Sequence, residues 1–211
     1  MKRTWMLLFL LILSGCEAAG YGLWLFTPRE QRKVKAEFGS LKNQSVAVVF
    51  YVDEKTQLDY PNVRLSLGAK VAEELRKNIK GVRVVEPLRV ARYQDENLHW
   101  DTQAKKTTAK DLKVDFLLIV SLVEYSMRVP GQVNAFQGRI SAEAKLYDSI
   151  LEEGENLLWE SKEGLDVVYP KLPQYSPRAE PIIRQRTEQE FADVLAKKFY
   201  DHKITIDVEE K

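Results

Sequence analysis

Cysteine and histidine are scarce in this 211-residue sequence, which holds one cysteine, Cys16, and two histidines, His99 and His202. A lone cysteine excludes an intrachain disulfide, so any folded domain must be stabilised by its core alone. The histidines are far apart, and neither lies at a metal-ligand spacing from a second histidine or a cysteine. The formal net charge is only +1, which leaves no basic surplus for binding nucleic acid. We therefore expect no metal site, no cofactor and no nucleic-acid partner.

Motifs of common catalytic sites are also missing from the sequence. No glycine-rich phosphate loop follows the first predicted strand, and no G-x-S-x-G sequence occurs. The best acidic candidate is Asp53 with Glu54, which follows that strand at the end where α/β sheets bind ligands. With Asp59 this pair would bind a divalent cation and serve a hydrolase, although a solvated loop is the simpler interpretation. The sequence thus favours a protein that is not an enzyme.

The longest apolar run lies at the amino terminus, from Trp5 to Leu13, directly after Lys2 and Arg3. This layout is typical of a secretory signal, and the run is too short to span a membrane by itself. The sequence Leu13-Ser14-Gly15-Cys16 that follows resembles the lipobox of bacterial lipoproteins. The resemblance implies cleavage between Gly15 and Cys16, acylation of Cys16 with palmitate-like chains, and an anchor of two or three chains. Glu17 in the next position implies the outer membrane, facing the periplasm.

An uncleaved membrane helix from Thr4 to Phe26 is the alternative for this region. It would place Glu17 near its middle, at a cost of about 2.5–3.5 kcal/mol on insertion scales. Cleavage is therefore favoured, with residues 1–15 as signal peptide and residues 16–44 as a lipidated tether. The tether contains the apolar run Tyr21–Phe26 and a basic cluster that ends at Lys35. It would lie at the lipid headgroups or pack onto the domain, and the sequence leaves both open.

Hydrophobic patterns predict a mixed α/β (α+β) domain over residues 45–203, with a tail over residues 204–211. The run Val46–Val52 predicts a strand buried on both faces, followed by a polar loop over Asp53–Asn62. Later segments predict a further buried strand near Phe116 and an alternating strand from Phe136 to Leu146. Helices are predicted around Leu67–Ile79, Leu88–Tyr93, Gln103–Leu112 and Pro181–His202. Consecutive late strands must pair antiparallel, so a mixed sheet with helices packed on it follows.

Three segments carry a family resemblance: the opening strand, the central strand and a turn that leads into a tryptophan. In this sequence they are Val46-Ala47-Val48-Val49-Phe50-Tyr51, Val114-Asp115-Phe116-Leu117-Leu118-Ile119 and Gly154-Glu155-Asn156-Leu157-Leu158-Trp159. The pattern resembles the domain shared by curli-secretion lipoproteins, the amino-terminal domain of TolB and periplasmic lipoprotein activators of peptidoglycan synthases. The turn lacks the Thr-Gly pair typical of that domain. The resemblance implies protein partners in the envelope, frequent self-assembly and no chemistry.

Two segments are candidate partner contacts. His99 and Trp100 lie in a predicted loop, where Trp100 would either anchor a partner or pack against a helix of its own domain. The segment Tyr169–Pro181 contains four prolines and predicts a stiff loop, which would either protrude or wrap the sheet. The contact residues proposed in that loop are Tyr169, Pro173, Tyr175 and Pro177.

The sequence therefore predicts a lipid-anchored envelope protein that acts as a non-catalytic scaffold or assembly subunit. Its expected partners are the membrane, through the lipid anchor, other envelope proteins and possible further copies of the chain. One alternative is an auxiliary carrier of a lipid or small molecule in envelope transport. The other is a hydrolase that uses Asp53 and Glu54.

Overall fold

A computed structural model of the chain describes residues 31–152 and 154–205. The predicted signal peptide, the lipidation site Cys16 and the tether up to residue 30 lie outside the described residues, as does the tail after residue 205. The chain divides into two compact units. Of the described residues, 31–34 and 203–205 belong to the first unit, and residues 35–202 belong to the second, here termed the packed unit.

Strands and helices follow one another in the mixed order predicted from the sequence. In chain order the elements are β1 (Gln31–Val34), β2 (Ser45–Tyr51), α1 (Glu54–Asp59), α2 (Val63–Asn78), β3 (Arg83–Val84), α3 (Pro87–Glu96), α4 (Lys105–Leu112), β4 (Phe116–Arg128), β5 (Phe136–Asp148), β6 (Leu157–Glu160), β7 (Leu165–Gln174), α5 (Glu180–Ala196) and β8 (His202–Thr205). Short 3₁₀ turns, Pro177–Ala179 and Lys197–Phe199, precede and follow α5. Strands β1 and β8 pair as a separate two-stranded sheet.

The packed unit is built on one mixed sheet with the strand order β3-β2-β4-β5-β6, and β7 pairs with the other half of β5. The early strands are parallel, with Val48 opposite Leu118 in the β2–β4 pair. The later strands β4, β5, β6 and β7 pair antiparallel, with Ile140 opposite Val167 in the β5–β7 pair. The predicted mixed sheet, its antiparallel later strands and the long carboxyl-terminal helix are thus confirmed.

Helices cover the two faces of the sheet unequally. On one face α2 and α5 pack over the larger apolar cluster, which includes Val48, Phe50, Leu118 and Phe191. On the other face a smaller cluster forms around α3 and α4 and includes Ala47, Val49 and Trp100. Successive residues of β2 point to opposite faces, and both faces are covered there, which explains why the whole run is apolar.

Two local predictions are wrong. The polar segment after β2 is not a continuous loop, because residues Glu54–Asp59 form the short helix α1. Asp53 caps this helix: its carboxylate accepts a hydrogen bond from the Thr56 backbone N–H at 3.0 Å, which satisfies a donor that the helix itself cannot.

The proline-rich segment is only partly a loop. Strand β7 continues through Pro170 and Pro173 to Gln174, and Tyr169 lies opposite Gly138 of β5. This is possible because β7 is paired only with β5. A proline lacks the backbone N–H donor, so it is tolerated on such an edge strand.

Packing in this unit begins upstream of the predicted start of the domain at residue 45. Leu41 is fully buried in the larger cluster, and the Glu37 backbone N–H donates to the Lys198 carbonyl at 2.8 Å. The Glu37 carboxylate also accepts a hydrogen bond from Trp159 Nε1 at 3.0 Å. The division of the whole chain into signal peptide, tether, domain and tail stays a prediction.

The helices that the structure describes in residues 31–152 and 154–205 are all too short or too polar to cross a membrane.

Candidate functional site

The acidic pair Asp53 and Glu54 lies at the carboxyl end of β2, as predicted, but Asp53 already has a structural task. Its carboxylate accepts hydrogen bonds from both the hydroxyl and the backbone N–H of Thr56, at 2.6 and 3.0 Å. These two donors hold the pKa of Asp53 below its usual range. Within the described residues no group of three or more His, Cys, Asp or Glu side chains could hold a metal ion.

His99 and Trp100 lie in the connection between α3 and α4, and they differ in their exposure to solvent. Trp100 is buried, at 8% exposure, in the smaller cluster, and its ring centroid lies 6.2 Å from that of Tyr51. His99 is exposed. Beside Trp100 a hollow of about 300 Å³ opens on the sheet, with Tyr147, Lys105 and aliphatic and polar strand residues in its walls. Of the two predicted interpretations of Trp100, burial within its own domain is therefore the one that the structure shows.

The predicted contact residues of the proline-rich segment are distributed over β7 and the turn before α5. Tyr169 and Pro173 belong to β7 and are half-buried. Tyr175 is 71% exposed, and Pro177 begins the 3₁₀ turn before α5. The structure does not bring these residues together with His99 and Trp100 in any described cavity. Their contact with a partner stays a prediction.

A buried polar network between α2, α5 and β4 is the most developed side-chain arrangement in the packed unit. At its centre is Glu188 of α5, which is only 3% exposed. One of its carboxylate oxygens accepts a hydrogen bond from the Ser66 hydroxyl at 2.5 Å. The other accepts a hydrogen bond from the Tyr125 hydroxyl at 2.7 Å. Both oxygens of this buried carboxylate are therefore satisfied from within the protein.

The Tyr125 hydroxyl acts in this network as a hydrogen-bond donor to Glu188. Burial and the neighbouring Glu188 carboxylate raise its pKa well above the usual range of a tyrosine, because both disfavour a phenolate. The ring also packs edge-on against Tyr60, with centroids 4.8 Å apart. Tyr125 therefore stays protonated near neutral pH and can donate to Glu188.

Arg184 lies one helical turn before Glu188 and lines the entrance to the network. Its guanidinium stacks over the Tyr60 ring at 5.0 Å, and its Nη2 donates to Glu180 at 3.1 Å. Its Nε atom is buried, and no acceptor for it is present among the described residues. Arg184 lines two neighbouring hollows, of about 310 Å³ and about 160 Å³, which also share Ser66 and Glu188. We call the larger one the α2–α5 cleft; it is lined by Ser66, Lys70, Pro181, Arg184, Gln185 and Glu188.

The sequence analysis missed this network, although one signal for it was present. Glu188 stands three residues before Phe191 and one after Thr187, both fully buried, so helical spacing places this charged residue on the apolar stripe of α5. Tyr125 was not predictable in this way. A bulge between Leu122 and Glu124 shifts the register of β4, and Tyr125 thereby points into the core where regular alternation would turn it outward.

Comparison with known proteins gives only low sequence identities and low TM-scores. No protein-family model matches the sequence, and no curated protein matches it significantly. Among solved structures, a PelC dodecamer from Paraburkholderia phytofirmans is 12% identical, with 80% of this chain and 98% of that chain covered and a TM-score of 0.42. Lipoprotein GNA1162 from Neisseria meningitidis is 16% identical, with 71% and 98% covered and a TM-score of 0.42. Uncharacterized lipoprotein B from Nitrosomonas europaea is 14% identical, with 82% and 88% covered and a TM-score of 0.35. Likenesses of this size assign neither a family nor a function to the chain.

Proposed function

We propose that this chain is an envelope lipoprotein, anchored through Cys16, whose packed unit binds other proteins as a non-catalytic scaffold or assembly subunit. The observation that carries the proposal is a part of the sheet that none of the described helices covers. Helix α3 packs on β2, and α4 packs on the beginning of β4 and the end of β5. No described residue forms a helix over the face beyond them. We call this region the open face; it consists of Glu124, Arg139, Ser141, Asp166 and Val168.

Strand register places these five residues side by side. Glu124 of β4 lies opposite Ser141 of β5, which in turn lies opposite Asp166 of β7. Arg139 lies opposite Val168. Their chain neighbours Ile140, Ala142, Leu165 and Val167 point into the larger cluster, so the open face points away from α2 and α5.

The composition of the open face suits a surface that binds another protein. It combines charges of both signs with an aliphatic side chain, Val168, that is 47% exposed. Non-obligate protein interfaces have a similar balance of apolar and polar groups. Addition of a strand at the β7 edge is less suitable, because Pro170 and Pro173 interrupt the donors of that edge. A partner would therefore lie across the face of the sheet.

The alternative of a lipid carrier finds less support. A carrier of an acyl chain needs a large, mainly apolar cavity. Each hollow described above includes charged side chains in its walls, and the largest measures about 310 Å³. The hydrolase alternative is also weakened, since the Asp53 carboxylate is bound to Thr56 in the helix cap.

The anchoring part of the proposal rests on the sequence Leu13-Ser14-Gly15-Cys16, and Glu17 supports the outer membrane. Metabolic labelling with radioactive palmitate tests it. The unchanged chain should be labelled and processed, and Cys16→Ser should remain unprocessed and unlabelled. Equal labelling of the two would refute lipidation at Cys16.

The binding part is tested by size-exclusion chromatography and chemical cross-linking of residues 27–211, alone and with detergent-solubilised envelope proteins. We expect either a species larger than one chain or a specific cross-linked envelope protein. A strictly monomeric protein that captures no envelope protein would refute the scaffold proposal.

A further inference from the structure

The α2–α5 cleft contains more hydrogen-bond donors than the protein uses. Lys70 of α2 lines the cleft and forms no ion pair or hydrogen bond with any residue in the described part of the chain. The buried Nε of Arg184 likewise has no acceptor in the described residues. A buried N–H group without an acceptor destabilises the folded state. Arg184 Nε therefore lacks an acceptor among the described residues, and the half-buried Lys70 ammonium has no partner among them.

The one carboxylate in the cleft does not supply that acceptor. Glu188 lines the cleft but is only 3% exposed. Its two oxygens are occupied by the hydroxyls of Ser66 and Tyr125. Arg184 is already paired with Glu180 at 3.1 Å, so Lys70 supplies the positive charge of the lining that has no carboxylate partner among the described residues.

Arg184 is held in position before any ligand arrives. The Tyr60 ring supports its guanidinium from one side, and Glu180 holds Nη2 at 3.1 Å. Glu180 is also within 3.7 Å of Arg128 Nη2, so its own position is fixed from two sides. Positioning of this kind lowers the entropy lost on binding.

We propose that the α2–α5 cleft binds a carboxylate group through Lys70 and Arg184. The planar guanidinium matches the two oxygens of a carboxylate, and the lysine ammonium adds a second charge-assisted hydrogen bond. The Gln185 amide at the rim offers further donors. The volume of about 310 Å³ is at the lower end of small-ligand sites, which suits a small carboxylic acid or one acidic side chain of a peptide.

The test uses the full lipidated chain in detergent micelles and follows the Arg184 Nε–Hε signal by NMR. Succinate serves as the free carboxylate, and a glutamate-rich decapeptide with blocked termini serves as the peptide. We expect a saturable shift of the Arg184 signal with at least one probe. Saturation with succinate alone assigns a free carboxylate, and saturation with the peptide alone assigns an acidic peptide.

Substitutions then separate the cleft from general charge effects. Lys70→Gln should weaken binding by about tenfold, in line with the loss of one charge-assisted hydrogen bond. This variant should fold normally, because Lys70 contacts no acceptor in the described residues. The matched control is Arg186→Gln, an exposed arginine on the same helix, which should leave the affinity unchanged. No shift with either probe, the same shift with sodium chloride at equal ionic strength, or equal losses in the two variants would overturn the proposal.

Discussion

Gly138 and Thr187 show how a single side chain sets the distance between the sheet and a helix. Gly138 lies in β5, and Thr187 of α5 is fully buried directly above it. A Cβ atom at position 138 would overlap the Thr187 hydroxyl and lie 2.8 Å from Thr187 Cβ. The Thr187 hydroxyl is not free to turn away, because it donates to the Ile183 carbonyl at 2.7 Å. Glycine is required here for close approach and not for an unusual backbone angle.

Gly138→Ala should therefore lower the free energy of unfolding by about 1–3 kcal/mol, the usual range for overpacking a core. Urea denaturation of the purified chain measures this change. The matched control is Gly39→Ala, since nothing lies within 4 Å of a Cβ at that position, and it should change stability by less than about 0.5 kcal/mol. Adding Thr187→Ala to Gly138→Ala should recover part of the loss. Equal effects of the two glycine substitutions would contradict the packing argument.

Asp115 should make the stability of the folded state depend on pH. Its carboxylate accepts hydrogen bonds from the Ser45 hydroxyl and backbone N–H, both at 2.7 Å. These donors, with a smaller contribution from Arg83, hold the pKa of Asp115 below its usual range. A carboxyl group whose pKa is lowered by folding stabilises the folded state above its unfolded pKa of about 3.9, and this stabilisation is lost as the pH falls through the folded pKa.

Asp115→Asn should consequently cost most stability near neutral pH and progressively less below about pH 4. Urea unfolding of both proteins between pH 3 and pH 7 measures the difference. Asp101→Asn is the control, because the Asp101 carboxylate has no hydrogen bond or ion pair with any described residue. A stability difference that stays constant with pH for Asp115→Asn would contradict the linkage.

At the scale of elements, the connection between α3 and α4 separates a core residue from its exposed neighbour. Trp100 packs in the smaller cluster with Leu112 and Leu117, and His99 contributes mainly its backbone carbonyl, which accepts from the Thr102 and Gln103 N–H groups. Trp100→Ala should thus lower the free energy of unfolding by about 3–5 kcal/mol. His99→Ala should change it by less than about 0.5 kcal/mol. Chemical denaturation of both variants tests this prediction. A Trp100→Ala protein as stable as the unchanged chain would contradict the packing of Trp100 in the core.

Sequence patterns predicted those elements whose burial is regular along the chain. The uninterrupted run Val46–Val52 and the alternation from Phe136 to Leu146 correspond to β2 and β5 because each face of these strands has one constant environment. Helix α5 was predicted from its apolar stripe for the same reason. Sequence patterns fail where the position of a strand in the folded sheet determines which residues it tolerates. The edge position of β7 admits Pro170 and Pro173, and edge position is not visible in the local sequence.

The polar network between α2 and α5 illustrates the same limit for the candidate site. Ser66, Tyr125 and Glu188 are far apart in the sequence and meet only because β4 is bulged and α5 crosses α2. No spacing rule links a serine, a tyrosine and a glutamate in this way. Asp53 illustrates the reverse case, since a residue at a favoured position for ligand binding serves as a helix cap.

At the scale of the whole molecule, the proposed lipid anchor at Cys16 would hold the packed unit at the membrane, and the open face of its sheet is not covered by any described helix. The packed unit is stabilised by its apolar core and not by a disulfide, because Cys16 is the only cysteine in the sequence. The polar interior between α2 and α5 and the open face are on opposite sides of the sheet, because the open-face residues alternate with residues of the larger cluster. A partner on the open face would therefore leave the α2–α5 cleft accessible.

Site-specific photo-cross-linking in the native membrane tests the central claim most directly. The full chain carries p-benzoylphenylalanine in place of Ser141 on the open face or, as a control, in place of the exposed Lys110 on α4. If the open face binds a protein, illumination should give a discrete adduct from position 141, either with a second copy or with an envelope protein, and none from position 110. No adduct from position 141, or the same adducts from both positions, would contradict the account.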